Sequence, residues 1–246
     1  MLSKSQISFV KSLHHKKFRK EQRLFIVEGI KSVSEYIHSK YLIRELFFTE
    51  DANLKLANLS QILKVNQITR QELSRISTLS TPQNVLALVQ LPDDKDIEST
   101  NFANDFTLAL DGIQDPGNLG TIIRSADWFG INTIVCSNNC VDLYNPKVVQ
   151  STMGSIFHVK TIYTDLHAFI AANKHICVAA TLDGQQVYGF QFDKQGILVI
   201  GSESHGISAS ILSLIQHKIT IPSFGKAESL NAGVATSILL SLLANK

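Results

Sequence analysis

The sequence is poor in the features that cross-link a chain, anchor it in a membrane or hold a familiar cofactor. Its three cysteines, Cys136, Cys140 and Cys177, are odd in number and form no CxxC pair, so neither a disulfide framework nor a zinc site is indicated and reduced thiols are expected. None of the eight histidines sits in an HExxH pattern, and no metal is expected. No GxGxxG opens a helix after a strand, and Gly225-Lys226-Ala227 lacks the spacing of a phosphate-binding P-loop, which sets aside the common dinucleotide and nucleoside-triphosphate folds. The longest uncharged apolar run, Val234 to Ala244, is too short to span a bilayer. The N-terminus also lacks the charged-then-apolar pattern of a signal peptide, so a cytoplasmic protein without membrane contact is expected.

What the chain does have is apolar content for a packed core, 44% of its 246 residues, and an uneven charge distribution. The net charge is only +2, yet residues 1–50 hold ten Lys and Arg against five Asp and Glu. Lys11, His14, His15, Lys16, Lys17, Arg19, Lys20 and Arg23 cluster around Phe18. Such a cluster suits a polyanion, because cations that neutralise phosphates release condensed counterions; a solvated helix face followed by a loop is the plainer reading. The candidate nucleic-acid contacts are Lys16, Lys17, Arg19, Lys20 and Arg23.

Read in order, Ser3 and Gln6 have capping-box spacing before a first helix, and Leu24–Glu28 reads as a strand reaching a turn at Gly29. Ile30–His38 is helical, Glu45–Thr49 extended, Thr69 and Glu72 cap a short helix, and Asn84–Leu91 is a closing strand. Residues 1–91 thus form a small α/β module. The polar stretch 92–105 is expected to be a linker. Residues 106–246 then show apolar strands at Phe106–Leu110, Thr133–Cys136, His175–Ala180, Gly196–Ile200 and Lys218–Ile221, with helical segments between most of them. That pattern predicts a parallel sheet covered on both faces.

Three strand ends carry the chemistry. Asp111 to Arg124 is a loop rich in glycine entering a helix; Gly201 to Gly206 is a tight turn around Glu203; Ile219 to Leu240 is a strand, a polar turn and an apolar helix opened by Ser229-Leu230-Asn231. In open α/β sheets ligands bind beyond the carboxyl ends of strands, so these three loops are expected to converge. The last of them is also readable as a helix cap and no more. Arg124 is the only arginine after Arg75 and lies among Ile122, Ile123, Ala126 and Trp128. It either pairs with Asp111, Asp115 or Glu203 or is kept for a phosphate. His205, in the Glu203 turn, is a weaker catalytic candidate.

Asp115-Pro-Gly-Asn-Leu-Gly-Thr-Ile-Ile-Arg124, Gly201-Ser-Glu-Ser-His-Gly-Ile207 and Ile221-Pro-Ser…Glu228-Ser-Leu-Asn-Ala-Gly-Val-Ala235 resemble the three ordered motifs of the SpoU (TrmH-like) RNA 2′-O-ribose methyltransferases of the SPOUT superfamily. The resemblance covers about residues 106–246. It implies a SPOUT domain with a parallel sheet and a deep trefoil knot, S-adenosylmethionine (SAM) as cofactor and a homodimer built through the C-terminal domain. Residues 1–91 resemble, in layout and in Glu28-Gly29 after a strand, the small L30e-like RNA-binding domain of many members. Carried over by position, Thr181, Leu182, Gly201, Ile221 and Leu230 would hold the cofactor, while Asn118, Arg124, Glu203, Ser229 and Asn231 would surround the methyl group and target ribose. Ribosomal RNA is the expected substrate over transfer RNA. One departure stands out: after Ser-Leu-Asn many members read Val-Ser-Val-Ala, whereas this chain has Ala232-Gly233-Val234-Ala235, which bears on substrate preference.

Overall fold

A computed structural model of the chain describes residues 1–39, 41–52, 62–92 and 106–245. The expected linker at 92–105 lies, apart from Pro92, outside the described residues. The chain divides into two compact units, Met1–Asp96 with Asp142–Gly154, and Ile97–Val141 with Ser155–Lys246. The span expected as one C-terminal domain is therefore interrupted by a segment that clusters with the first unit.

In the first unit the elements are α1 (Lys4–Ser12), α2 (Lys16–Gln22), β1 (Leu24–Glu28), α3 (Ile30–Ile37), β2 (Ile43–Phe48), β3 (Val65–Gln67), α4 (Arg70–Ile76) and β4 (Val85–Gln90), joined by α6 (Pro146–Thr152) from later in the sequence. Both expected capping boxes are present: Ser3 with Gln6 starts α1 and Thr69 with Glu72 starts α4, each pair satisfying backbone N–H groups that a helix leaves unpaired. The sheet order is β1-β4-β2-β3, antiparallel except for β2 with β3. One face packs Ile26, Phe47, Leu86 and Leu88 against Val10 of α1, Leu13 just beyond it, and Leu73 and Ile76 of α4. Phe25, from the opposite side of β1, meets Tyr36 of α3 and Tyr144, with ring centroids 5.7 and 4.7 Å away.

The second unit contains β5 (Thr107–Asp111), α5 (Pro116–Trp128), β6 (Thr133–Ser137), β7 (Lys160–Thr164), α7 (Leu166–Ala172), β8 (Cys177–Gln186), β9 (Ile197–Gly201), α8 (Ala209–Leu212), β10 (His217–Thr220) and α9 (Ala232–Ala244). Its six strands run in the order β10-β8-β9-β5-β6-β7, and every pairing is parallel. Strands β5 and β9 are sandwiched between neighbours and read as near-continuous apolar runs, as sheets buried on both faces require. Ala109, Val135, Ala179 and Val199 pack against Leu166 and Ile170 of α7 and Ile211 of α8. On the other side α9 lies against α5, where the Ser125 and Ser237 hydroxyls meet at 2.7 Å.

One irregularity shapes the edge of this sheet. Strand β10 pairs with β8 at Lys218↔Ala179, then skips to Ile219↔Gln185. Residues 180–184 are left out of that ladder, so Thr181, Leu182 and Asp183 bulge away from it. Gly184 closes the bulge against the β10 backbone, where an added Cβ would lie 2.6 Å from Ile219 N, a separation no side chain tolerates.

Candidate active site

The carboxyl ends of β5, β9 and β10 lead into the three loops singled out from the sequence, and their polar residues join in one hydrogen-bonded chain. Asp115 caps α5 by accepting from Asn118 N at 2.8 Å, with Pro116 at the first helical position, where its missing N–H costs nothing. This turns the Asn118 side chain, itself buried, toward the other two loops. Glu203 sits on a turn closed by Ser202 and Gly206, whose backbones exchange hydrogen bonds of 3.2 and 2.9 Å. Asp111, at the end of β5, holds the return of that turn by accepting from Ser208 N at 2.8 Å.

The helix end at α9 fixes the direction of the whole network. Asn231 Oδ1 accepts from Gly233 N at 3.0 Å and Val234 N at 3.2 Å, so its Nδ2 must face the other way. That Nδ2 donates to Asn118 Oδ1 at 2.7 Å, which in turn points Asn118 Nδ2 at Glu203 Oε1. The same Glu203 oxygen accepts from Ala232 N at 3.2 Å, a carboxylate seated at the positive end of α9. Two backbone donors thus dictate both amide orientations, and each Asn retains one further N–H for a ligand.

Arg124 lies six residues beyond Asn118 on α5, which is about 9 Å along a helix axis. It is exposed, and among the described residues it has no hydrogen-bond or ion-pair partner. The three carboxylates weighed as its partners accept bonds elsewhere: Asp111 from Ser208, Asp115 from Asn118, and Glu203 from Asn118 and Ala232. A guanidinium left in solvent is available for an anionic ligand.

Beside the network lies a cleft of about 770 Å³, within the roughly 300–1,000 Å³ typical of small-molecule sites. Thr181, Leu182, Gly201, Glu203, Ile221, Ser229 and Leu230 all line it, so the five proposed cofactor residues share a single cavity with two of the five proposed catalytic ones. Asn118 and Asn231 reach it through Glu203. The walls suit SAM, a molecule with a flat aromatic base and a positive sulfonium: Leu182 and Leu230 leave 78% and 45% of their surface uncovered, and Asp183 and Glu228 add carboxylates. Thr181 Oγ1 is buried, and its interaction with the Asp183 carboxylate, ahead of that of Lys218, holds that carboxyl below its usual range.

The geometry adds a second role for Gly201 and changes the expectation for Arg19. The missing side chain at Gly201 leaves room for the chain's own turn, since an added Cβ would lie 2.2 Å from Gly206 C; the residue is needed to form the Glu203 turn at all. Arg19, expected among RNA-facing cations, is 2% exposed. It donates to Asp142 Oδ2 at 2.6 Å and to the Leu13 and His14 carbonyls at 2.9 Å, so it closes the α1–α2 corner and faces no phosphate. Lys16, Lys17, Lys20 and Arg23 are exposed, and Lys17 Nζ stands 5.9 Å over the Phe18 ring. Two cleft features went unread in the sequence: the β8 bulge, and Phe224, an aromatic inside the polar turn between Pro222 and Gly225.

The profile of the SpoU rRNA Methylase family matches residues 105–241, more than half the chain. The chain belongs to that family. The MRM3-like substrate binding domain matches residues 4–87. Among solved structures, a TrmH-family protein from Porphyromonas gingivalis is 36% identical and superposes with a TM-score of 0.81 over 98% of both chains. The AdoMet-bound rRNA methyltransferase from Sinorhizobium meliloti is 27% identical, with a TM-score of 0.84 over 100% of this chain and 97% of that one. The 23S rRNA (guanosine(2553)-2′-O)-methyltransferase RlmP of Bacillus subtilis is 28% identical over 234 residues, covering 94% of this chain and 92% of its own. As a SpoU-family domain the second unit is a SPOUT fold, a parallel α/β sheet with the trefoil knot of that fold.

Proposed function

We infer that the family's chemistry runs in this cleft and that the protein is a SAM-dependent RNA 2′-O-ribose methyltransferase acting on ribosomal RNA. The observation that carries this is the linked Asn118–Glu203–Asn231 network beside a cleft containing all five expected cofactor residues. The similarity to proteins described as rRNA methyltransferases, two of them 2′-O enzymes for 23S rRNA, favours ribosomal over transfer RNA.

SAM would be held by Ile221 and Leu230 at the ends of one loop and by Thr181, Leu182 and the Gly201 backbone on the opposite walls. When bound, it supplies a methyl group on sulfonium that a ribose 2′-oxygen can accept. The protein's task is then alignment and charge. Asn118, Asn231 and Ser229 offer hydrogen bonds to the ribose, with Glu203 holding the Asn118 amide and the α9 end holding that of Asn231; preset orientation of this kind removes much of a barrier. A guanidinium has no acceptor, so Arg124 does not take the hydroxyl proton; it binds a neighbouring RNA phosphate and stabilises charge developing on the oxygen, and the proton leaves through water.

Lys16, Lys17, Lys20 and Arg23 would meet the RNA backbone, with Phe18 among them to stack on a base. In the second unit Trp128 of α5 is 84% exposed and Val234 of α9 is 47% exposed, apolar surface that a homodimer through the C-terminal domain would cover. We take residues 1–91 and 106–246 as the RNA-binding and catalytic domains by sequence, and the cytoplasm as the place of action. The deciding experiment maps 2′-O-methylated nucleotides in total RNA from strains with and without the gene: one large-subunit rRNA site should vanish, while loss of a tRNA site, or of none, overturns the substrate assignment.

A further inference from the structure

Phe224 is 93% exposed at the lip of the cleft. The chain from Ile221 to Asn231 forms neither helix nor strand, and Ser223 through Leu230 are all exposed. Within it, Ile221 and Leu230 at the two ends provide the apolar walls assigned to the cofactor, while Phe224 projects into solvent. Two residues on, Lys226 is exposed and has no partner among the described residues. An uncovered phenyl ring beside an unpaired cation is the combination that binds single-stranded nucleic acid, the ring taking a base face and the cation a phosphate.

A nucleotide extruded from its stack can carry its 2′-oxygen deep into a cleft, at the cost of the stacking of its base. A nearby aromatic face returns that energy. We propose that Phe224 is the stacking platform for the nucleobase of the nucleotide being methylated, an inference that rests on the RNA 2′-O-methyltransferase reading above. A phenyl ring makes no hydrogen bonds to base edges, so Phe224 supports extrusion of the nucleotide without choosing its base.

The test uses the full-length protein, an unmodified large-subunit rRNA transcript and a fragment of it spanning the mapped site. Phe224→Ala should raise the KM for RNA about tenfold while SAM affinity by calorimetry stays within twofold, and Phe224→Trp should restore the KM. On a fragment carrying an abasic ribose at the target position, wild type and Phe224→Ala should have equal KM values. Weakened SAM binding with an unchanged RNA KM makes Phe224 a cofactor lid and overturns the proposal, as does an equal loss on abasic and intact RNA or no effect on either. A wild-type protein that methylates no RNA sinks the underlying reading, whereas an active wild type indifferent to Phe224→Ala sinks this inference alone.

Discussion

Asn231 donates to Asn118 at 2.7 Å, joining residues 113 positions apart and tying the cap of the last helix to the first turn of α5. Because the same Asn231 caps α9, stability and site geometry are coupled. Asn231→Ala should cost about 1 kcal/mol in chemical denaturation, the usual worth of such a cap, and should also lower methyl transfer by releasing Asn118. In Asn118→Ala with Asn231→Ala the two losses of activity should not add, since either change breaks the same chain. Additive losses would mean that the amides act separately.

Arg124→Ala removes an exposed side chain that has no hydrogen-bond or ion-pair partner among the described residues. Thermal stability and SAM affinity should be unchanged, with turnover on rRNA reduced about 100-fold, the scale of losing one charge-stabilising group in a transition state. Arg124→Lys should recover part of it, because the charge returns without the planar fork. Full activity in Arg124→Ala refutes the assigned role.

The basic helix α2 should separate into two kinds of cation. Lys16→Ala and Lys20→Ala should leave stability unaltered and weaken RNA binding, each lowering the slope of log affinity against log salt by about one. Arg19→Ala should cost about 3 kcal/mol, the low end for breaking a buried pair, because Asp142 keeps 19% of its side chain exposed and can partly rehydrate. Its RNA affinity, measured below the unfolding transition, should match wild type.

Acid should destabilise the first unit in two stages. Burial lowers the pKa of His14 below 6.5, opposed by its bond with the Ile76 carbonyl and by Glu28. A folded state that resists protonation binds fewer protons than the unfolded chain, so stability is full above about pH 6.5 and falls as pH drops through that value. Bonds from the Thr69 and Leu2 backbones hold Glu72 below 4.5, so its contribution is intact above that pH and is lost as pH falls further. Melting temperatures across pH 3–8 should show both declines, and Glu72→Gln should flatten only the lower one.

Much of this was legible because periodicity reports burial. The apolar runs at β5, β6, β9 and β10 and the capping boxes of α1 and α4 stood out from their own residues. Strand β7 did not, because an edge strand with Lys160, Thr161, Tyr163 and Thr164 is polar enough to pass for loop. Helix α2 is preceded at its N-cap by His15, whose side chain makes no cap bond, so no start signal marked it. Arg19 and the β8 bulge escaped for a shared reason. Each depends on a partner far along the chain, Asp142 for the first and the register of β10 for the second, and local pattern carries no word of either.

Helix α6 has a practical bearing on how the molecule can be divided. Its residues follow β6 in sequence, yet they pack on β1, in the segment that also brings Tyr144 to Phe25 and Asp142 to Arg19. A fragment ending at residue 91 would lack the wedge that shields one side of its own sheet. The remainder would carry that wedge with nothing to cover. Swapping RNA-binding modules between relatives therefore takes two grafts made together, the N-terminal stretch and residues 142–154, and a single crossover in the linker should yield chimeras that aggregate.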